Sequence, residues 1–257
     1  MLATVKRTIE DRMSMREVAY VHIQKKIASR ALRAGSPVSE VPIARELGIS
    51  RTPTREAIRQ LVAEGLLEQV PGGGVVVVTL ERRDIVEIYE LRKALEVQAV
   101  EAAARRLAGT ELQNLRLIAD EVPHLIQELR ESGREDLDEE QMDRFEAADI
   151  GFHTYVMQVA GNRRSLRIVG SLRSLIRIFA MRRAGHDIES LTRIHGDHCE
   201  LIEAIEARDA ARAASVATAH IEASQRTRLE QFDQREREAA LPHDIPAFLD
   251  RIRAELA

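Results

Sequence analysis

Residues 39–78 read SEVPIARELGISRTPTREAIRQLVAEGLLEQVPGGGVVVV, and this order of signals constrains the fold more than any other part of the chain. Two short helical patterns flank Leu47-Gly48-Ile49. Strand formers follow, broken by Pro71-Gly72-Gly73-Gly74, which makes residues 66–70 and 75–79 a hairpin. Helix, tight turn, helix, hairpin is the order of a winged helix-turn-helix. Upstream, Ser14-x-x-Glu17 is a capping box. It opens a helix carrying Val18, Val21, Ile27, Ala28 and Leu32, which Gly35-Ser36-Pro37 ends.

The second helix of the stretch carries the chemistry. Ser50 or Thr52 can cap it, and Pro53 fits its first turn because the missing N–H would be unpaired there. Ala57, Ile58, Leu61, Val62 and Gly65 share one side. Thr52, Glu56, Arg59 and Gln60 share the other, with Arg55 on the flank and Arg51 at the N-terminal turn. Arginines and hydroxyls at the start of a helix suit the major groove, where a guanidinium pairs bidentately with guanine. Periodicity alone is equally met by an ordinary amphipathic helix with a solvated basic face.

The whole chain of 257 residues has a net charge of −4, which by itself argues against a nucleic-acid binder. The charge is unevenly divided. Residues 1–80 hold 12 Lys and Arg against 8 Asp and Glu, net +4, and the remainder holds 26 against 34, net −8. A basic head on an acidic body is the division expected if only the head meets phosphates. One cysteine, Cys199, excludes an internal disulfide framework and fits a reducing cytoplasm. No apolar run approaches membrane-spanning length, and the start of the chain lacks the apolar segment of a signal peptide.

From residue 81 the pattern is helix after helix. The spacing predicts helices over 82–107, 110–131, 137–160, 163–183, 187–208 and 209–233, with a short further helix over 245–256. The fold class is therefore mainly α: an N-terminal winged helix-turn-helix over 1–80, an all-helical bundle of six or seven helices over 81–235, and a tail over 236–257.

Four polar residues in the bundle stand where apolar ones are expected. Asp149 lies within the stripe of Met142, Phe145, Phe152 and Val156, and His153 is four residues further on the same face. His198 is flanked at helical spacing by Leu191, Ile194, Leu201 and Ile205, and His220 by Ala213, Val216, Ala217 and Ala223. A buried carboxylate is costly unless it is paired or binds a metal, and these four would satisfy one another as ligands of one divalent ion. Singly, each histidine reads as a core residue bonded to a carbonyl, and Asp149 with His153 reads as a simple hydrogen bond. Arg92 also sits on an apolar stripe, where an internal salt bridge or a carboxylate clamp accounts for it.

The wording of both segments adds to this. Ala44-Arg45-Glu46-Leu47-Gly48, Ser50-Arg51-Thr52-Pro53-x-Arg55-Glu56-Ala57, Leu61 and Glu64-Gly65-Leu66 resemble the DNA-binding domain of the GntR family of bacterial transcription regulators. Tyr89-x-x-Arg92-x-x-x-Glu96, Asp149-x-x-Phe152-His153, Asn162, Asp197-His198-x-x-x-Ile202, Asp209 and His220 resemble the helical FCD ligand-sensing domain of its FadR-type branch. The resemblance implies a DNA-binding regulator, commonly a repressor, and no enzyme. Its operator contacts would come from Ser50, Arg51, Thr52, Pro53 and Arg55, with Arg59 added from its place on the same helix, and the wing glycine Gly73 would enter the minor groove.

The resemblance also implies a divalent metal on Asp149, His153, His198 and His220, zinc first and nickel or manganese as alternatives. Arg92 and Asn162 would form the ligand set for a small carboxylic-acid effector. The expected partners are double-stranded operator DNA, that effector and a second copy of the chain. Two other readings fit the residues. The bundle is a dimerisation module with a structural metal, or it is a metal-dependent hydrolase, against which stands the lack of a spare general base.

Overall fold

The computed structural model describes residues 13–107, 109–179 and 186–240. In the head, α1 (Met15–Ala28) opens on the reciprocal Ser14–Glu17 capping box that the sequence predicts. Its buried face is Ala19, Ile23 and Ile27, one step around from the expected stripe. It also ends before Leu32, because Arg30 takes a left-handed φ of 61°. Helix α2 (Glu40–Leu47) ends at Gly48, which adopts φ 65° and turns the chain into α3 (Arg51–Ala63). Gly48 is the position in this corner that needs glycine. A side chain there meets no neighbour, so Gly48→Ala pays only the left-handed backbone cost. The expected result is a loss of about 1 kcal/mol in urea unfolding of the whole chain, with DNA-free secondary structure intact.

The wing is the antiparallel pair β1 (Leu67–Val70) and β2 (Gly74–Val77), in the register Leu67↔Val77 to Val70↔Gly74. Gly72 and Gly73, at φ 99° and 92°, form the exposed turn. The strands are slightly shorter than the sequence suggests. The loop after α1 joins them, with Val38 N–H donating to Val75 O at 2.8 Å and Val77 N–H to Ser36 O at 3.0 Å. Ile23, Leu61, Leu66, Leu67 and Val77 fill the head's core.

The bundle has seven helices among the described residues: α4 (Arg82–Arg106), α5 (Thr110–Ala119), α6 (Glu121–Ser132), α7 (Glu139–Ala160), α8 (Arg163–Phe179), α9 (Ile188–Glu206) and α10 (Ala210–Ala240). The predicted helix over 110–131 is two helices. Pro123 lacks an N–H, and its ring would clash with the carbonyl of Ala119, so the chain restarts at Asp120. Helix α10 runs seven residues beyond its predicted end. The short helix over 245–256 and the predicted end of α8 beyond Phe179 lie outside the described residues.

Helices α4 and α10 pack along each other, with α7, α8 and α9 around them. One apolar core joins α4, α5, α7, α9 and α10 through Phe152, Leu115 and Ile205. Helix α8 belongs to two cores at once. Its Ile176 packs with Ile85, Ile88, Tyr89 and Ile221 of the bundle. Its Ile178, with Leu175 and Phe179, is built into the core of the head. Leu175 also lies under Gly65, where an added Cβ would come within 3.6 Å of it.

Candidate ligand and metal site, and the DNA-reading helix

Asp149 and His153 come from successive turns of α7, His198 from α9 and His220 from α10. One ligand atom from each lies within 4.8 Å of all the others. The three imidazole centroids are 5.2–5.3 Å apart. Asp149 Oδ1 is 3.6 Å from both His153 Nε2 and His198 Nε2. That is too long for a hydrogen bond. It is close to the separation of two ligands that each stand about 2 Å from a shared tetrahedral ion.

The polar atoms give the test of fit. His153 Nε2 and both ring nitrogens of His198 are buried and have no hydrogen-bond partner. Such atoms are expensive to leave unpaired, and a cation would satisfy those that face Asp149. Protonation favours the same outcome. Burial, with Arg173 nearby, pushes His153 down to about 4. Burial, with His153 and His220 beside it, holds His198 well below its usual range. Both rings are therefore neutral, the form that ligates a metal. Burial pushes the Asp149 carboxyl up, but its polar neighbours His153 and Arg173 hold it well below the usual carboxylate range, so it is ionised. The donor set fits a divalent ion that accepts nitrogen and oxygen.

Around this set stand groups that orient it. Glu96 Oε2 is 3.5 Å from His153 Nδ1, and Asp197 Oδ2 is 2.9 Å from His220 Nδ1. A carboxylate on the outer nitrogen fixes an imidazole's tautomer and direction. His198 has its ring stacked on Phe152 at 4.0 Å instead. Glu96 is itself held by two guanidinium groups: Arg92 Nε donates to it at 2.8 Å and Arg173 Nη2 at 2.5 Å. Arg173 also reaches Asp149, at 3.4 Å.

A cavity of about 340 Å³ opens beside the cluster, with Asp149, His220, Arg92, Arg173 and Tyr89 in its wall. Arg92 is a buried salt-bridge partner of Glu96, one of its two sequence readings, and it lines the cavity. Asn162 does neither. It is exposed, and its Oδ1 accepts from the backbone N–H of Arg164 and Ser165, capping α8. Asn162 is not in the wall of this cavity. His195 lies against Cys199, 3.4 Å from its Sγ, and not among the four ligands.

Sequence reasoning missed Arg173 and His186. Arg173 is one of several arginines on an amphipathic helix, and its partners lie on other helices. His186 lines the cavity with its ring 4.4 Å from Phe145, and burial together with Arg228 lowers it to about 4. Nothing in its spacing marks it. Glu96 was within reach, since it stands four residues after Arg92.

In the head, Ser50, Arg51, Thr52, Arg55 and Arg59 are exposed at or on α3, Pro53 is half-buried in its first turn, and Gly73 is exposed at the wing tip. Ser50 takes the cap position but makes no side-chain cap bond. Arg51 and Arg55 converge on one carboxylate. Glu40 of α2 accepts from the Nε and Nη2 atoms of both. Val41, beside it, is exposed.

Residues 15–77 match the family model of bacterial regulatory proteins of the gntR family, and residues 87–223 match that of the FCD domain. A probable D-xylose utilization operon transcriptional repressor of Paenarthrobacter nicotinovorans is 36% identical over 78% of this chain and 83% of its own length. The gluconate operon transcriptional repressor of Bacillus subtilis (strain 168) is 29% identical over 76% of each chain. Among solved structures, E. coli McbR/YncC shares the fold, with a TM-score of 0.67 at 19% identity over 86% of this chain and 99% of its own. The chain belongs to the GntR family, in the group that carries an FCD domain. It is a DNA-binding transcription regulator, and its family is one of regulators and not of enzymes. No helix among the described residues is long and apolar enough to cross a membrane.

Proposed function

We propose that this protein is a cytoplasmic repressor that binds a palindromic operator as a dimer and senses a small organic acid beside a bound divalent metal. The observation that carries the reading is the placement of α8. Its Arg173 touches Glu96 and Asp149 at the cavity, and two residues later the same helix enters the core of the DNA-binding head. Asp149, His153, His198 and His220 would hold the metal, zinc before nickel or manganese. When bound, the ion supplies a Lewis-acid pole for the oxygens of a carboxylate. Arg92 and Arg173 add positive charge to the same wall.

The mechanism follows from the shared helix. An acid in the cavity changes what Arg173 has to pair with, and a shift of α8 is felt at Leu175, Ile178 and Phe179. A ligand alters DNA affinity only as far as it prefers one head arrangement over another. In a dimer that difference is read as the spacing of two recognition helices on two half-sites. The relatives named as operon repressors support repression as the resting activity.

The test is DNA binding of the zinc-loaded full chain, on operator fragments selected from random sequence, with and without a panel of small carboxylic acids. The expected result is that at least one acid changes operator affinity about ten-fold, within the usual range of allosteric coupling, and that His153→Ala abolishes the change. If no acid in the panel alters DNA binding, the bundle is a dimerisation module and the sensor reading is wrong.

A further inference from the structure

The cavity has two poles, and only one belongs to the ligand cluster. Asp149 and His220 stand at the first. Along the same wall α10 then presents Ser224, Thr227, Arg228 and Gln231. Arg228 is eight residues beyond His220, about 12 Å along the helix axis. Its guanidinium bonds Gln231, one turn further along the same helix.

Five arginines line the cavity, and they differ in what neutralises them. Arg92 and Arg173 are bonded to Glu96. Arg193 has Asp197 at 3.6 Å. Arg177 stands on the exposed rim. Arg228 is partly buried, and its Nη1 donates to the uncharged amide oxygen of Gln231 at 3.0 Å. No carboxylate among the described residues pairs with it. A guanidinium in a half-enclosed site with only an amide for partner is matched by an anion, most closely by a planar carboxylate.

The first pole selects the same chemistry for a different reason. Asp149 alone repels a carboxylate, whereas Asp149 and three neutral imidazoles around a divalent ion attract one. On the sensor reading given above, we infer that the effector is a dicarboxylic acid, one end at the Asp149–His220 pole and the other on Arg228 with Gln231. Arg228 is thus a specificity determinant of the cavity, and Arg92 serves mainly to hold Glu96.

Calorimetric titration of the zinc-loaded full chain with matched pairs tests this: butanoate with butanedioate, pentanoate with pentanedioate, hexanoate with hexanedioate. The expected result is that the diacid of at least one pair binds ten-fold or more tighter than its monoacid, and that Arg228→Gln brings that ratio close to one. Arg228→Lys restores part of the ratio, since the charge returns without the planar fork. Should Arg228→Gln fail to fold, Gln231→Glu serves instead. It gives Arg228 a charged partner and is expected to remove the diacid's advantage. A wild-type ratio near one with measurable binding overturns this inference and leaves the sensor reading standing. So does a variant that folds and keeps the full ratio. If neither acid of any pair binds, both fall together.

Discussion

Treated with a chelator, this 257-residue chain is expected to melt about 10 °C lower than with saturating zinc. The size follows from linkage: an ion present at about a thousand times its dissociation constant adds about 4 kcal/mol, and about 2–4 °C accompany each kcal/mol in a domain of this size. The reason to expect a large effect is the set of unpaired atoms. Without an ion, one ionised carboxylate faces neutral imidazoles at 3.6 Å, too far to bond, and three buried ring nitrogens have no partner. His198→Ala is expected to abolish the metal-dependent part of the shift while its loss of stacking on Phe152 lowers the metal-free melt as well. Equal melting with chelator and with added zinc, nickel or manganese would remove the metal from the site.

The second large effect lies in the head. Arg51→Ala is expected to weaken operator binding about ten- to hundred-fold, the range for losing one bidentate base contact. Random-sequence DNA should lose less. Both arginines are tied to Glu40 in the DNA-free protein, and Arg55 and Arg51 hold that carboxyl down to about 2. Glu40 is therefore ionised at any pH at which binding is measured. It holds the two guanidinium groups in one orientation and places a negative charge close to the proposed DNA-reading surface. Glu40→Gln is expected to strengthen random-sequence binding and to reduce the preference for operator, because charge repulsion and arginine positioning are lost together. Competition titrations over a salt series separate these outcomes. If Arg51→Ala weakens operator and random DNA by the same factor, Arg51 holds a phosphate and reads no base.

Local patterning made the head and the order of helices readable. A capping box, a glycine corner and a glycine-rich hairpin are signals complete within a few residues, and the structure places elements where they point. The structure departs from the pattern where the deciding contact is one residue's clash or a distant partner. The predicted helix over 110–131 contains Pro123, whose ring conflicts with the Ala119 carbonyl although the apolar periodicity continues through it. Asp149, His153, His198 and His220 were found as polar interruptions of apolar stripes, and the structure brings all four together. Asn162 rests on resemblance alone, and its local chemistry, a side-chain amide ahead of a helix, also describes a cap. Arg173 and Arg228 could not be told from other arginines on amphipathic helices. What distinguishes them is the partner each has or lacks across the cavity.

The double membership of α8 limits how this protein can be divided. Leu175, Ile178 and Phe179 belong to the head's core although they lie about a hundred residues after the wing in sequence. A fragment cut at the junction near residue 81 takes the wing and α3 but leaves part of their apolar packing behind. A chimera that gives this bundle a foreign head inherits a helix end shaped for another surface. On the proposed operator contacts, exchange of specificity between relatives is a matter of replacing the exposed side of α3 while retaining the residues that meet α8, and heads transplanted whole need that seam redesigned with them.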